Sequence, residues 1–272
     1  MQTIFRTIRH LVVGLAAAAA IGLPLWFVVT AFGGKFGLWT PLEAFIHVRS
    51  FAGVFLPATA GLGVAALIVA VLFRLVFGAK NAPGPGGYIA GVAAIVVGAG
   101  GILYAQSVRD LAGSVPPIHD ITTDTQNPPQ FTQALIDRRT QDGARNSVDY
   151  ASKTNPADDR PLPQVQAQHY PEITPIELPV SADLAYQAAL STARDRGWTV
   201  STASEAAGMF EATATTFWFG FKDDVVVRVT DTGLESARVD VRSVSRVGMS
   251  DLGANAARIS AFSEDLRDSV GE

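Results

Sequence analysis

The stretch LVVGLAAAAAIGLPLWFVVTAF, residues 11–32, holds no charged side chain. About 20 consecutive apolar residues cross a hydrocarbon core as a helix, because a helix satisfies its backbone hydrogen bonds without water. Two further runs share this character, about 51–73 and about 88–105. Residues 1–106 are therefore predicted to be a transmembrane anchor of about three helices. The third run is shorter and rich in glycine. Trp26, Trp39, Tyr88 and Tyr104 fall near the predicted span ends, where interfacial aromatics collect. The rival reading of residues 11–32 is a signal peptide with Ala16–Ala20 as its core. Apolar character continues through Leu25, Trp26, Val28 and Val29 with no clear cleavage site, which favours a span.

Charge divides the chain at the same place. Up to Ala105 there are six basic residues (Arg6, Arg9, Lys35, Arg49, Arg74, Lys80) and one acid, Glu43; beyond it 15 basic residues face 24 acids, a net −9. A domain so acidic repels phosphate backbones, so no nucleic-acid partner is expected. The absence of cysteine excludes disulfides, thiolate metal sites and Cys nucleophiles. Arg6, Arg9, Arg74 and Lys80 flank one side of the predicted spans, Lys35 and Arg49 the other. This bias predicts a cytoplasmic N-terminus, and three crossings then put the C-terminal domain in the periplasm of an inner-membrane protein. No ionisable residue lies inside the runs, so a packed anchor bundle is expected rather than a transport path. Ala90, Ala94 and Gly98 form one small-residue ridge, Gly61 and Ala65 a shorter one. Gly98-Ala99-Gly100-Gly101 lacks the lysine and preceding strand of a nucleotide loop.

Residues 107–176 are dense in proline and read as an extended segment. Ile118, Ile121, Phe131, Leu135, Ile136, Tyr150, Tyr170 and Ile173 are too apolar for a free tether, so the segment is expected to pack along the domain. Phe131 to Arg139 carries a short helical pattern. Residues 177–272 read as an α+β domain: an antiparallel sheet covered by two helices, in the order β-α-β-β-β-β-α. The strands are Glu177–Val180, Trp198–Thr202, Met209–Thr215, Asp224–Val229 and Ala237–Val244. Ser181 is a good cap for the first helix, on which Leu184, Ala185, Ala188, Ala189 and Ala193 give the 3.6-residue period. The last helix, Asp251 to Asp268, is expected to bury Leu252, Ile259, Phe262 and Leu266.

The block from Val239 to Ile259, Arg-Ser-x-Ser-Arg (242–246) leading to Ser-Asp-x-Gly-x-Asn-x-x-Arg (250–258), resembles the signature of the bacterial family called domain of unknown function 1499. Pro116-Pro117-Ile118-His119-Asp120-Ile121, Asn127 to Phe131, Glu211 to Ala214 and Gly220 to Val225 resemble long, membrane-anchored members of that family, in the same order. The resemblance implies that the proline-rich segment belongs to the domain, and it brings no activity. Other members carry cysteines early in the domain; this chain has none.

The sharpest candidate site joins Arg242 and Arg246 with Ser250, Asp251, Asn255 and Arg258. Two arginines beside a helix N-terminus would make an anion site for phosphate, carboxylate or a lipid headgroup. The simpler reading pairs those arginines with Asp223 and Asp224 and makes Ser250 or Asp251 a cap. Phe217, Trp218 and Phe219 form an aromatic cluster: core if buried, a contact for partner, lipid or bilayer surface if exposed. His119, Asp120, Asp124 and His169 lack the local spacing of metal ligands, so capping or hydrogen bonding is expected and no metal or cofactor is assigned. No GxSxG elbow or HExxH helix is present, and Glu211 with Asp223-Asp224 as acid and base has no further support. The expected function is therefore a non-enzymatic, envelope-facing domain, held in the lipid bilayer, that binds an envelope protein or lipid. The alternative is a hydrolase or transferase acting on a lipid or envelope substrate through Arg242, Arg246 and Asn255.

Overall fold

The computed structural model describes residues 2–271. It divides into two compact units, residues 1–110 with 218–220, and residues 111–217 with 221–272.

The first unit holds three long helices, α1 (Gln2–Lys35), α2 (Pro41–Phe77) and α3 (Pro85–Ser114). Each is long and apolar enough to cross a membrane. Thr40 caps α2 and makes a reciprocal capping box with Glu43. The helices meet at small side chains, Ala16, Ala66 and Ala94. Ala90, Ala94 and Gly98 are buried along α3, as the small-residue ridge predicts. A Cβ at Gly98 would sit 2.5 Å from the Ala60 amide, and one at Gly63 would sit 2.6 Å from the Gly91 carbonyl. Backbones this close tolerate only glycine. The matching ridge on α2 is Thr59, Gly63, Ala66 and Ala70, not Gly61 and Ala65, of which the first is exposed and the second half-buried.

The second unit is a six-stranded antiparallel sheet with helices on both faces. Its elements are β1 (Asp120–Thr122), α4 (Gln133–Gln141), α5 (Leu162–His169), β2 (Ile176–Leu178), α6 (Ala182–Asp195), β3 (Thr199–Ser204), β4 (Met209–Thr215), β5 (Lys222–Gly233), β6 (Ser236–Ser245) and α7 (Ala254–Ser269). The sheet order is β1-β6-β5-β4-β3, with β2 on the same β6 edge as β1, farther along it. From β2 onward the order is the predicted β-α-β-β-β-β-α. The segment 107–176 is not extended chain alone: its first residues, to Ser114, continue α3, the rest supplies β1, α4 and α5, and Ile118, Ile121, Phe131, Leu135, Tyr150 and Ile173 are buried.

Alternation along the strands sets the layers. Val225, Val227, Val229, Ala237, Val239 and Val241 face α6 and α7, which bury Ala185, Tyr186, Ala189 and Leu190, and Ala256, Ile259, Phe262 and Leu266. Leu184 is exposed, because Ser181 caps α6 in a register that turns its first leucine outward. Leu252 lies before α7, at a left-handed φ of 57°, and the helix starts at Ala254 rather than Asp251. On the opposite face Val226 and Val244 meet Phe131 and Leu135 of the α4 region.

Candidate functional site

The arginines of β6 sit on alternate residues. Arg238, Asp240, Arg242 and Val244 point toward the α4 face, and the chain continues that sense at Arg246; Ser243 and Ser245 point toward α7. The six predicted site residues are thereby divided between two clusters on opposite faces of the sheet.

On the α4 face the arginines are held by buried carboxylates. Arg242 is wholly buried, and donates from Nε to Asp120 Oδ1 at 3.0 Å and from Nη2 to Asp120 Oδ2 at 2.8 Å. It also donates to the carbonyls of Pro129 and Val148, and its guanidinium lies over the rings of Phe131 and Tyr150 at 5.2 and 5.5 Å. Lys153 Nζ donates to the same Asp120 at 2.5 Å. Burial alone would push the Asp120 carboxyl up; the hydrogen bonds and charge of Arg242, with Lys153, hold it below the usual carboxylate range. Asp224 accepts from Arg246 Nε at 2.8 Å and Nη2 at 2.7 Å, from Arg139 Nη1 at 2.5 Å and from Thr213 Oγ1 at 2.8 Å. Arg246 also donates to Asp142. Asp240 accepts from Arg228 and Arg238, and Asp124 from Arg238. Glu211 accepts from the Thr132 amide and hydroxyl at 2.6 and 2.8 Å, fixing the start of α4.

On the α7 face, Ser243 Oγ donates to Asn255 Oδ1 at 2.6 Å, and Asn255 Nδ2 donates to Ser245 Oγ at 3.0 Å and to the His119 carbonyl at 3.2 Å. Arg258 reaches Ser243, Asn255 and Asp223. The N-terminus of α7 already holds an anion of its own: Asp251 accepts from the Gly253 amide at 2.8 Å and the Asn255 amide at 3.0 Å. Burial raises the Asp251 carboxyl, against the pull of those two amides. Ser250 Oγ accepts from the Leu252 amide. The predicted single anion site is thus not assembled. A two-residue period sends its arginines away from the helix end, and Asp251 fills the place the anion would take.

Of the expected pairs only Asp224 with Arg246 forms; Arg242 takes Asp120 instead, and Asp223, on the other face, pairs with Arg258. His119 Nδ1 lies 3.2 Å from the Met249 carbonyl, and burial, with the Lys153 charge, lowers its titration. Among the described residues no group of His, Asp and Glu converges as metal ligands would. A cavity of about 210 Å³ is lined by Glu172, Ile173, Thr174, Ile259, Ser260, Ser263 and Arg267, none of them a predicted site residue. Phe217 and Trp218 are exposed, at 64% and 42%. Trp218–Gly220 belongs to the helical unit, where the Trp218 ring lies 5.1 Å from that of Phe27 and the Phe219 ring 5.9 Å from that of Phe45.

The partners missed from sequence are Arg139, Asp142 and Lys153, all from the proline-rich segment; Asp120 was expected to hydrogen-bond and Tyr150 to pack, but neither was expected to meet Arg242. One signal for them exists: Arg238, Asp240 and Arg242 alternate with valines on a strand expected to be covered on the other side by two helices, so buried partners are required.

A family model described as "Protein of unknown function (DUF1499)" matches residues 120–266. No curated protein matches the chain. Among solved structures, the crystal structure of the di-domain ARO/CYC BexL from the BE-7585A biosynthetic pathway is 13% identical, with a TM-score of 0.25, over 35% of this chain and 42% of that one. The chain spans less than half the length of that structure.

Proposed function

Since the chain belongs to the DUF1499 family, whose description assigns no activity, we propose from its own geometry that it is a multi-pass inner-membrane protein with a periplasmic domain devoted to binding rather than catalysis. The observation that carries this reading is the internal use of the arginine block. Arg242 and Asn255 are wholly buried, on opposite sides of the sheet, and each spends its donors on protein atoms. A pair so placed supports a rigid scaffold and gives an enzyme nothing with which to meet a substrate. Charge supports the orientation: Arg6, Arg9, Arg74 and Lys80 gather on one side of the spans against Lys35 and Arg49 on the other.

Two measurements test the reading. A reporter enzyme that works only after export should be active when fused after Glu272 and inactive when fused in the Gly78–Gly84 loop; the reverse pattern overturns the orientation. Replacing Arg242 and Arg246 together by alanine should lower the unfolding midpoint, while inorganic phosphate leaves the midpoint of the unsubstituted protein unchanged. Stabilisation by phosphate that disappears in the variant would instead assign a ligand site to these arginines.

A further inference from the structure

The helical unit contains a cavity of about 190 Å³ lined by Arg9, His10, Val13, Pro83, Gly84 and Gly87. We propose that this cavity binds the headgroup phosphate of an anionic phospholipid. Its position, charge and shape each support that ligand, independently of what the C-terminal domain does.

Position follows from the path of the chain. α1 leaves this end of the bundle, α2 returns to it and α3 departs again, which the Phe5–Phe77 ring contact at 5.8 Å and the placement of Arg9 over Phe73 at 5.8 Å register directly. Arg9 and His10 immediately precede the uncharged run that starts at Leu11, which sets them at headgroup depth. Charge follows from composition. Arg9 lines the cavity, and Arg6, Arg74 and Lys80 lie toward the same end of the helices, while the single acid among residues 1–109, Glu43, caps the opposite end of α2. A cationic pocket between membrane helices is complementary to a phosphodiester.

Shape completes the argument. The rim is polar, Arg9 and His10, whose Nη2 and Nε2 lie 2.8 Å apart, whereas the floor is Val13, Pro83 and Gly87. Gly87 is buried, and a Cβ there would come within 2.6 Å of Pro83, so the floor has no room for a side chain. A Cβ on Gly84 meets nothing within 4 Å, so the mouth stays open. Outside the cavity Ile4, Ile8, Leu11, Leu72 and Ile89 are exposed and apolar, a surface on which acyl chains can lie.

The test uses the full-length protein in neutral detergent. Its unfolding midpoint is followed while phosphatidylglycerol, phosphatidylcholine or inorganic phosphate is added. Phosphatidylglycerol should raise the midpoint; phosphatidylcholine and phosphate should leave it unchanged. Arg9→Gln and Gly84→Glu should each weaken the phosphatidylglycerol response at least tenfold in concentration. Arg49→Gln, at the far end of α2, should preserve it. If one cavity variant fails to fold, the other carries the comparison. Equal shifts with both lipids, or equal loss in Arg49→Gln, would mean unspecific lipid contact and overturn the site. A shift with phosphate alone matching that with the lipid would overturn the lipid as its occupant.

Discussion

On the face of the sheet under α6 and α7, Val225, Val227, Val239 and Val241 need only be apolar and of suitable size; on the face under α4, Asp120, Asp224 and Asp240 each need named donors at hydrogen-bond distance. Burial of apolar area is non-directional, so the first face tolerates change in shape. The second has taken charges out of water, which is recovered only while every partner stays in place. Its partners come from residues far apart in the chain, Asp120 with Arg242 and Arg139 with Asp224, so the ionic face ties the proline-rich segment to the sheet in one register. The apolar face holds the layers together; the ionic face specifies which segment lies where.

The largest expected effect comes from breaking one ionic node. Asp224→Asn keeps the shape but strips Arg139, 3% exposed, of its paired carboxylate and leaves Arg246, 6% exposed, with Asp142 alone. Removing one partner of a buried pair costs about 3–5 kcal/mol, to be read from urea unfolding of the full-length protein in detergent. Recovery of wild-type stability in this variant would show the network to be dispensable.

Acid should separate the faces next. The folded Asp120 carboxyl titrates below its ordinary 3.8, so the unfolded chain binds more protons in that window. Its contribution is complete above 3.8 and is lost as pH falls through the folded value. His119, held below 6.5 first by burial and then by Lys153, acts in the same sense: its contribution is complete above 6.5 and declines below it. Asp251, raised by burial, opposes both, losing its contribution as pH rises through its folded value. Asp120→Asn should therefore start less stable near neutrality and flatten the decline below 3.8, measured as unfolding midpoint against pH. An unchanged slope would remove Asp120 from the account.

On the apolar face a conservative trim should be mild. Ile259→Val, at a site 1% exposed, is expected to cost about 0.5–1.5 kcal/mol in the same urea assay. A cost matching that of Asp224→Asn would erase the distinction between the faces. The smallest effect is expected for Lys222→Ala, whose pair with Asp142 spans 3.2 Å with side chains 47% and 38% exposed. Surface pairs contribute roughly 0–1 kcal/mol, so its unfolding midpoint should barely move.

Much of this was legible in the residues themselves. Met209–Thr215 alternates, and forms β4 with those bounds; the Ser181 cap and the small-residue period after it form α6. β1 and α5 were not legible, because three residues show no alternation and Leu162–His169 opens on Leu-Pro and is largely polar. Arg242 and Asn255 were grouped by nearness along the chain, yet the strand period separates them. Asp120, the partner Arg242 does have, lies 122 residues before it, a distance that no local pattern bridges.

By itself the sequence determined the three apolar helices, the acidic α+β domain and its order of elements from β2 onward, since hydropathy and periodicity act within a turn or a pleat. Only the tertiary structure decided which face each charge occupies, that Asp251 fills the end of α7, and that the proline-rich segment brings the counter-ions for β6. Those outcomes depend on strand pairing between distant segments, and the cost of burying an ion is settled only where its partner arrives.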